Sequence, residues 1–284
     1  MENPIAQASA RHGNFLFFRN DDPIGACLHH YGEWAQQELD LFDMILTEHS
    51  SVADIGANIG THSVFFSKKA NKGKLICFEP QIYIFELLCA NLLFNGCYNV
   101  IPVNAALSNK ASRQRMVNFN PFVENKINYG EFKINNHDDK GIVTAVQTLD
   151  SYIDSYKFDL IKMDVEGHEV EALDGAKKII KKHKPAMYIE YNSDLGNEEL
   201  LQVLEKSGYN CYWHVYTKHN PKNFNNKTQD VWCEENLIID KDTYHKKYEG
   251  NLLCVHRDSS QPSGLPLLRD QRNLLQFLTH VGAF

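Results

Sequence analysis

The chain has 284 residues, of which 43% are hydrophobic and 23% are charged. This balance is typical of a globular protein and excludes disordered and fibrous chains. The 29 Lys and Arg residues stand against 36 Asp and Glu residues, which gives a formal charge of −7 and makes a nucleic-acid partner unlikely, because its phosphates would be repelled.

The seven cysteines are scattered and include no C-x-x-C pair. This usage predicts reduced thiols, a cytoplasmic location and no zinc site. No stretch approaches the roughly 18 apolar residues that a membrane helix needs, so we expect neither a membrane span nor secretion.

Residues 1–50 are predicted to form an N-terminal extension that packs on the main domain. Phe15, Phe17 and Phe18 partly alternate in the stretch 14–19. Residues 34–48 carry apolar side chains at helical spacing, which predicts an amphipathic helix.

From residue 51 onward, short apolar runs alternate with segments of helical period. The predicted strands cover 52–55, 74–78, 100–103, 158–163 and 186–189, and the predicted helices cover 60–70, 82–95, 168–182 and 197–207. This alternation predicts a doubly wound α/β domain over 51–258, with helices on both faces of a mainly parallel sheet.

Two polar stretches, 118–141 and 217–230, interrupt this rhythm. Loops of such length are uncommon unless they have a function, so each is interpreted as a lid or substrate loop, with a solvated surface excursion as the alternative. Residues 259–284 are interpreted as a linker and a C-terminal helix. That helix either docks on the domain or forms a homodimer.

The sequence Asp-Ile-Gly-Ala-Asn-Ile-Gly at 54–60 follows the first predicted strand. A dinucleotide fingerprint would require glycine at 58 and 61, where this chain has Asn58 and Thr61, so a nicotinamide or flavin cofactor is disfavoured. Glu79 ends the next strand and is placed to accept both hydroxyls of a ribose. The pattern favours S-adenosylmethionine, a nucleoside without phosphate. Asp54 would attract its amino group, and the backbone amides of the turn would receive its carboxylate.

These residues resemble the FkbM family of S-adenosylmethionine-dependent methyltransferases. The resemblance rests on 54–61, Phe78-Glu79-Pro80, Asn104-Ala105-Ala106-Leu107 and, as the discriminating block, Lys162-Met-Asp164-Val-Glu166-Gly167-His168-Glu169. It implies the class I methyltransferase Rossmann-like fold, with a mostly parallel seven-stranded sheet and an antiparallel edge strand. It also implies a methyl acceptor that is a hydroxyl group, typically on a sugar or a polyketide-derived product.

The resemblance further implies which residues surround the cofactor. Those expected to hold it are Asp54, Gly56, Asn58, Gly60, Thr61, Glu79 and Asp164. Asn104 and Ala105 are expected near the adenine.

Asp164 ends the strand expected beside the glycine turn, and parallel sheets bind ligands at such carboxyl ends. We therefore expect Asp164 to face the cofactor methyl and the substrate hydroxyl. His168 is the expected proton acceptor, since histidine ordinarily titrates near about pH 6.5, and Glu166 is expected to orient the substrate or the histidine. We predict no metal. The alternative is a divalent ion held by Asp164, His168 and Glu190.

Trp213, His214 and Asn223 are predicted to bind the substrate, because aromatic faces beside amides suit a sugar. The alternative for Trp213 is a place in the core of an edge strand. The predicted function is methyl transfer to a hydroxyl of a small-molecule or glycan substrate. A methyltransferase acting on protein or nucleic acid and a non-catalytic S-adenosylmethionine-binding module are the alternatives.

Overall fold

The computed structural model describes residues 3–116, 127–131, 141–191, 198–217, 219–231 and 248–268. The strands are β1 (Ile5–Ala10), β2 (Gly13–Phe18), β3 (Val52–Ile55), β4 (Leu75–Phe78), β5 (Val100–Val103), β6 (Ala105–Leu107), β7 (Ser112–Met116), β8 (Ile142–Gln147), β9 (Leu160–Met163), β10 (Ala186–Glu190), β11 (Tyr209–Thr217) and β12 (Tyr248–His256). The α-helices are α1 (Ile24–Tyr31), α2 (Gln36–Ile45), α3 (Thr61–Lys69), α4 (Ile82–Phe94), α5 (Glu169–Asp174), α6 (Lys177–His183) and α7 (Glu198–Lys206).

The central sheet has seven strands in the order β11-β12-β10-β9-β3-β4-β5. The strands from β10 to β5 run parallel, whereas β12 is antiparallel to both of its neighbours and pairs with the edge strand β11. This is the predicted doubly wound, mostly parallel sheet. The strand order reverses between β3 and β9, and open α/β sheets bind ligands at such a switch point, outside the carboxyl ends of the strands.

The inner strands form where the sequence has short apolar runs. Every residue of β3, β4 and β9 is buried, as expected for strands covered by helices on both faces. One hydrophobic cluster joins the β1–β2 hairpin to α2, α3 and α4, through residues such as Phe15, Phe42 and Leu88. A second cluster packs α5, α6 and α7 on the opposite face.

A second sheet, of order β6-β8-β7, was not predicted from the sequence. The chain leaves the main sheet at Asn104, whose side-chain amide donates to the carbonyls of Glu79 and Pro80 at 2.9 and 3.1 Å. Strand β6 follows at once and pairs parallel with β8. A strand of three residues is too short to show a periodic pattern.

Three predicted elements differ from the structure or lie outside it. The predicted helix 168–182 is two helices, α5 and α6, with a break at Gly175. The proposed lid 118–141 is described only at 127–131 and at 141, and the C-terminal helix predicted beyond 267 lies almost wholly outside the described residues. None of the helices in the described part of the chain has the length and apolar character that crossing a bilayer requires.

Candidate active site

A cleft opens at the carboxyl ends of β3, β4 and β9, next to the point where the strand order reverses. Of the residues predicted to form the site, those that line it are Gly56, Glu79, Ala105, Asp164, Glu166 and His168. Leu107 and Met116 of the small sheet, together with Phe78 and Gln81, add to its walls. Residues far apart in the sequence therefore meet in one cavity.

Gly56 forms the floor of the cleft because the chain leaves β3 there and turns close to the end of β9. Its φ is +78°, a left-handed conformation that glycine adopts readily. A Cβ atom at this position would lie 1.8 Å from the carbonyl oxygen of Asp164. No other residue fits without moving the backbone, and the absence of a side chain leaves the main chain open to a ligand.

Glu79 follows β4 and carries a buried carboxyl group with two backbone partners. Its oxygens accept hydrogen bonds from the N–H groups of Asn58, at 3.0 Å, and Gln81, at 2.9 Å. Burial raises the pKa of Glu79 to about 7. The side chain is thus held rigidly at the cleft, and the carboxylate has lone pairs left for a ligand.

Asp54 does not line the cleft. Its carboxylate is 2% exposed and lies below the glycine turn, where Oδ2 accepts a hydrogen bond from the hydroxyl of Ser63 at 2.6 Å. The second oxygen, Oδ1, is 3.8 Å from Nζ of Lys162 and has no hydrogen-bond partner in the described part of the chain.

Three carboxyl groups converge beside the cleft. Oxygens of Asp164, Glu166 and Glu190 lie within 4.8 Å of one another. Burial and the neighbouring Asp164, which shares a hydrogen bond with Glu190, raise the pKa of Glu190 well above its ordinary value. Glu166 has a φ of +53°, an uncommon conformation outside glycine that often marks functional loops.

The ammonium of Lys162 already lies against this cluster, 3.1 Å from Oδ2 of Asp164. The metal alternative required His168 together with Asp164 and Glu190, but the cluster contains Glu166 in place of the histidine. The ammonium of Lys162 therefore already offsets part of the negative charge of this cluster.

His168 lines the cleft at the start of α5. Its Nε2 atom is 3.0 Å from the hydroxyl of Ser108, and its Nδ1 atom is 3.6 Å from a carboxylate oxygen of Glu171. The hydroxyl of Ser108 fixes the orientation of the ring at the edge of the cleft.

Four other residues predicted at the cofactor lie behind the cleft walls. Asn58 supports Glu79 through its backbone N–H, and Gly60 and Thr61 begin α3. Asn104 holds the backbone at Glu79 and Pro80. These residues shape the cleft without lining it.

The structure does not bring the three predicted substrate residues to this cleft. Trp213 is 1% exposed and packs edge-on against Tyr191. It therefore occupies a core position in an edge strand, which was the alternative prediction for this residue. His214 bonds to the hydroxyl of Tyr188 through Nδ1 at 2.8 Å. Asn223 is buried, and among the described residues its amide group bonds to residues 220 and 227 of its own loop.

Lys162 and Gln81 were missed as site residues. Lys162 is a charged residue inside the otherwise apolar strand β9, and that interruption was a usable signal. Gln81 donates through Nε2 to the carbonyl of Tyr129 at 2.7 Å, while its Oε1 has no hydrogen-bond partner among the described residues.

The sheet and the cleft have the arrangement predicted for the class I methyltransferase fold, with the cleft between the glycine turn after β3, the acid that follows β4 and the acidic loop after β9. The sequence model of the methyltransferase FkbM domain matches residues 54–211, more than half of the chain. The protein belongs to this family.

Two relatives similar in sequence are named methyltransferases. The hexuronic acid methyltransferase AglP of Haloferax volcanii is 32% identical over 178 residues, which cover 60% of this chain and 69% of that protein. The methyltransferase sdnD of Sordaria araneosa is 26% identical over 153 residues, which cover 44% of this chain and 59% of that protein. The crystal structure of methyltransferase FkbM from Methylobacillus flagellatus aligns with a TM-score of 0.44 and 16% identity, and the match spans 73% of this chain and 44% of that one.

Proposed function

We propose that this methyltransferase uses S-adenosylmethionine and methylates a hydroxyl oxygen of a carbohydrate-bearing or other small-molecule substrate. One observation supports this most strongly: Glu79 and Asp164 line the same cleft, with the exposed backbone of Gly56 between them. A nucleoside held at Glu79 therefore extends across the glycine turn toward a group of carboxylates.

The residues of the cleft fit S-adenosylmethionine. The ionised carboxylate of Glu79 is suited to accept hydrogen bonds from two ribose hydroxyls. Phe78, Ala105 and Leu107 offer apolar surface for the adenine ring. The free Oε1 atom of Gln81 is a further acceptor, which satisfies the requirement that buried polar groups find a partner.

When bound, S-adenosylmethionine supplies an activated methyl group on a positive sulfur. The protein must align an oxygen with that carbon and remove a proton from it, and alignment contributes most to such a displacement. We assign Asp164 to face the acceptor hydroxyl and His168 to accept its proton, since both line the cleft. Glu166 orients the substrate from the same loop.

The nature of the acceptor oxygen follows from the charge of the cleft. The relative from Haloferax volcanii is named for a hexuronic acid, and such a sugar carries both hydroxyl groups and a carboxylate. The acidic cluster of Asp164, Glu166 and Glu190 repels an incoming carboxylate and accepts hydrogen bonds from neutral hydroxyls. We therefore favour a methyl ether over a methyl ester as the product.

The test is to incubate the protein with methyl-labelled S-adenosylmethionine and hexuronic acids, glycans or a small-molecule extract of the source organism. We expect label in the carbohydrate fraction that survives mild alkali, since ethers resist it and esters do not. Release of the label by alkali would identify a carboxylate acceptor. Label in protein or RNA would overturn the substrate class.

A chelator arm of the same assay addresses the metal alternative. Because Lys162 supplies a cation at the carboxylate cluster, we expect full activity in EDTA. Activity that disappears in EDTA and returns with Mg²⁺ would show that the cluster binds a divalent ion.

A further inference from the structure

Lys162 connects the glycine turn on one side of the cleft to Asp164 on the other side. Its Nζ atom is 3.1 Å from Oδ2 of Asp164, 3.5 Å from the carbonyl oxygen of Gly56 and 3.8 Å from Oδ1 of Asp54. Strand register explains the meeting, because Lys162 lies beside Asp54 in the pairing of β9 with β3. The ammonium of Lys162 therefore contacts the glycine turn, the buried Asp54 beneath that turn, and Asp164, the acid assigned to face the acceptor hydroxyl.

The side chain of Lys162 is 5% exposed. A buried ammonium is costly unless carboxylates compensate it. Burial lowers the pKa of Lys162, but Asp164, Asp54 and the more distant Glu38 outweigh burial and raise it above the ordinary value. The group therefore stays charged at every pH at which the protein works, and it is not a proton acceptor.

Asp164 faces several other charges, all of them acidic. Glu190 on β10 and Glu166 on the loop lie within the same cluster. Glu169 at the start of α5 and Glu79 after β4 also interact with Asp164 electrostatically. Within the described residues, Lys162 is the cation in contact with Asp164, so the lysine offsets the repulsion between Asp164 and its acidic neighbours.

We propose that Lys162 is a positioning residue, which aims the carboxyl group of Asp164 into the cleft and fixes it relative to the cofactor-binding turn through the carbonyl of Gly56. This inference rests on the proposed role of Asp164 toward the acceptor hydroxyl.

The test compares Lys162→Gln with Lys162→Arg, and Lys157→Gln serves as a control at the exposed, opposite end of the sheet. We expect K162Q to lower kcat roughly 100-fold through loss of alignment, with KM nearly unchanged. K162R keeps the charge, so it should retain most of the kcat of the parent. K157Q should match the parent.

A K162Q protein that turns over at the parent rate overturns the role of Lys162. So does a slow K162Q protein whose kcat arginine does not restore, because that result describes a structural lysine only. A parent that methylates no hydroxyl group overturns the proposed function instead, so the two failures are distinguishable.

Should K162Q fail to fold, the double variant K162Q/D164N removes the nearer of the two carboxylates that the lysine compensates. Residues that act as one unit show non-additive effects. We therefore expect the double variant to fold and to be as slow as D164N alone. A double variant slower than D164N by a further factor of about 100 would contradict a role exerted through Asp164.

Discussion

Ionisation of the carboxyl group of Glu79 has opposite effects: it favours the binding of a ribose and it destabilises the ligand-free protein. Burial raises its pKa from 4.5 to about 7 in the folded protein. For an acid with a raised folded pKa, the stabilising contribution is complete below the unfolded value and is lost as the pH rises through the folded value. The ionised form, which binding a ribose requires, is therefore the form that destabilises the ligand-free protein.

We expect Glu79→Gln to gain roughly 3 kcal/mol of stability relative to the parent between about pH 5 and pH 8, because Glu79 becomes charged over that range and the neutral amide does not. The amide nitrogen cannot accept the backbone N–H of Asn58 or of Gln81, so the variant loses one hydrogen bond at both pH values, and the change with pH isolates the buried charge. Urea denaturation at both pH values measures it, with the exposed Glu86→Gln as control. A stability difference between variant and parent that is the same at pH 5 and at pH 8 would show that the carboxyl group is not buried as described.

His168 is the residue to which we assign proton transfer. We expect His168→Ala to lower kcat by roughly 100-fold or more, as loss of a general base does, and to leave the affinity for S-adenosylmethionine nearly unchanged. The rate of the parent should rise with pH, because a general base must be unprotonated to accept a proton. The exposed His49→Ala is the matched control. A rate that is constant from pH 6 to 9 in the parent would contradict the assignment.

The break between α5 and α6 connects helix geometry to this histidine. At Gly175, between the two helices, a Cβ atom would lie 2.0 Å from the carbonyl oxygen of Ser108. The hydroxyl of Ser108 in turn contacts Nε2 of His168. Helices α5 and α6 therefore approach the segment that follows β6 at Gly175, which has no side chain. This contact sets the orientation of the His168 ring.

Gly175→Ala distinguishes close packing from weak helix propensity as the cause of the break. Alanine is the better helix former by about 1 kcal/mol, so a break caused by propensity alone predicts a more stable variant. The contact with Ser108 predicts the opposite, a loss of about 2 kcal/mol or more with a lower kcat, because the backbone near Ser108 must move. Thermal denaturation distinguishes the two causes, because the melting temperature of the variant rises in one case and falls in the other.

The elements that sequence could predict are those with a local cause. Strands β3, β4 and β9 are short buried apolar runs, and Glu79 directly follows one of them. The break at Gly175 depends on contact with Ser108, which is distant in the sequence. The spacing of apolar residues along the helix therefore does not reveal the break. The sequence also could not reveal that the side chain of Asp54 lies away from the cleft, because the register of β3 with β9 is what brings its partner Lys162 beside it.

Across the whole molecule, the N-terminal extension shares a buried polar network with the sheet. Glu38 of α2 bonds to His62 of α3 at 2.7 Å, to Asn251 of β12 at 2.7 Å and to the hydroxyl of Tyr216 of β11. Burial alone would raise the pKa of Glu38, but His62 lowers it to about 2. This carboxylate therefore stabilises the fold above about pH 4.5, and its contribution is lost as the pH falls toward 2.

The extension is consequently expected to be required for folding. Deleting residues 1–50 removes Glu38, the partner of His62 and Asn251, and removes Phe42 from its contact with Tyr188, so that the rest of their hydrophobic cluster is uncovered. Unpaired buried polar groups and lost apolar contacts each cost several kcal/mol. We expect the fragment 51–284 to show no cooperative unfolding transition, whereas Glu38→Gln in the full chain should still fold. A fragment that unfolds cooperatively would define residues 51–284 as an autonomous domain.

Calorimetric titration of S-adenosylmethionine into the parent and into Glu79→Ala tests the proposed cleft most directly. The parent should bind, and the variant should stay folded while losing at least about 100-fold in affinity, because two charge-assisted hydrogen bonds are removed. A folded Glu79→Ala protein with undiminished affinity would contradict the assignment of this cleft to the cofactor.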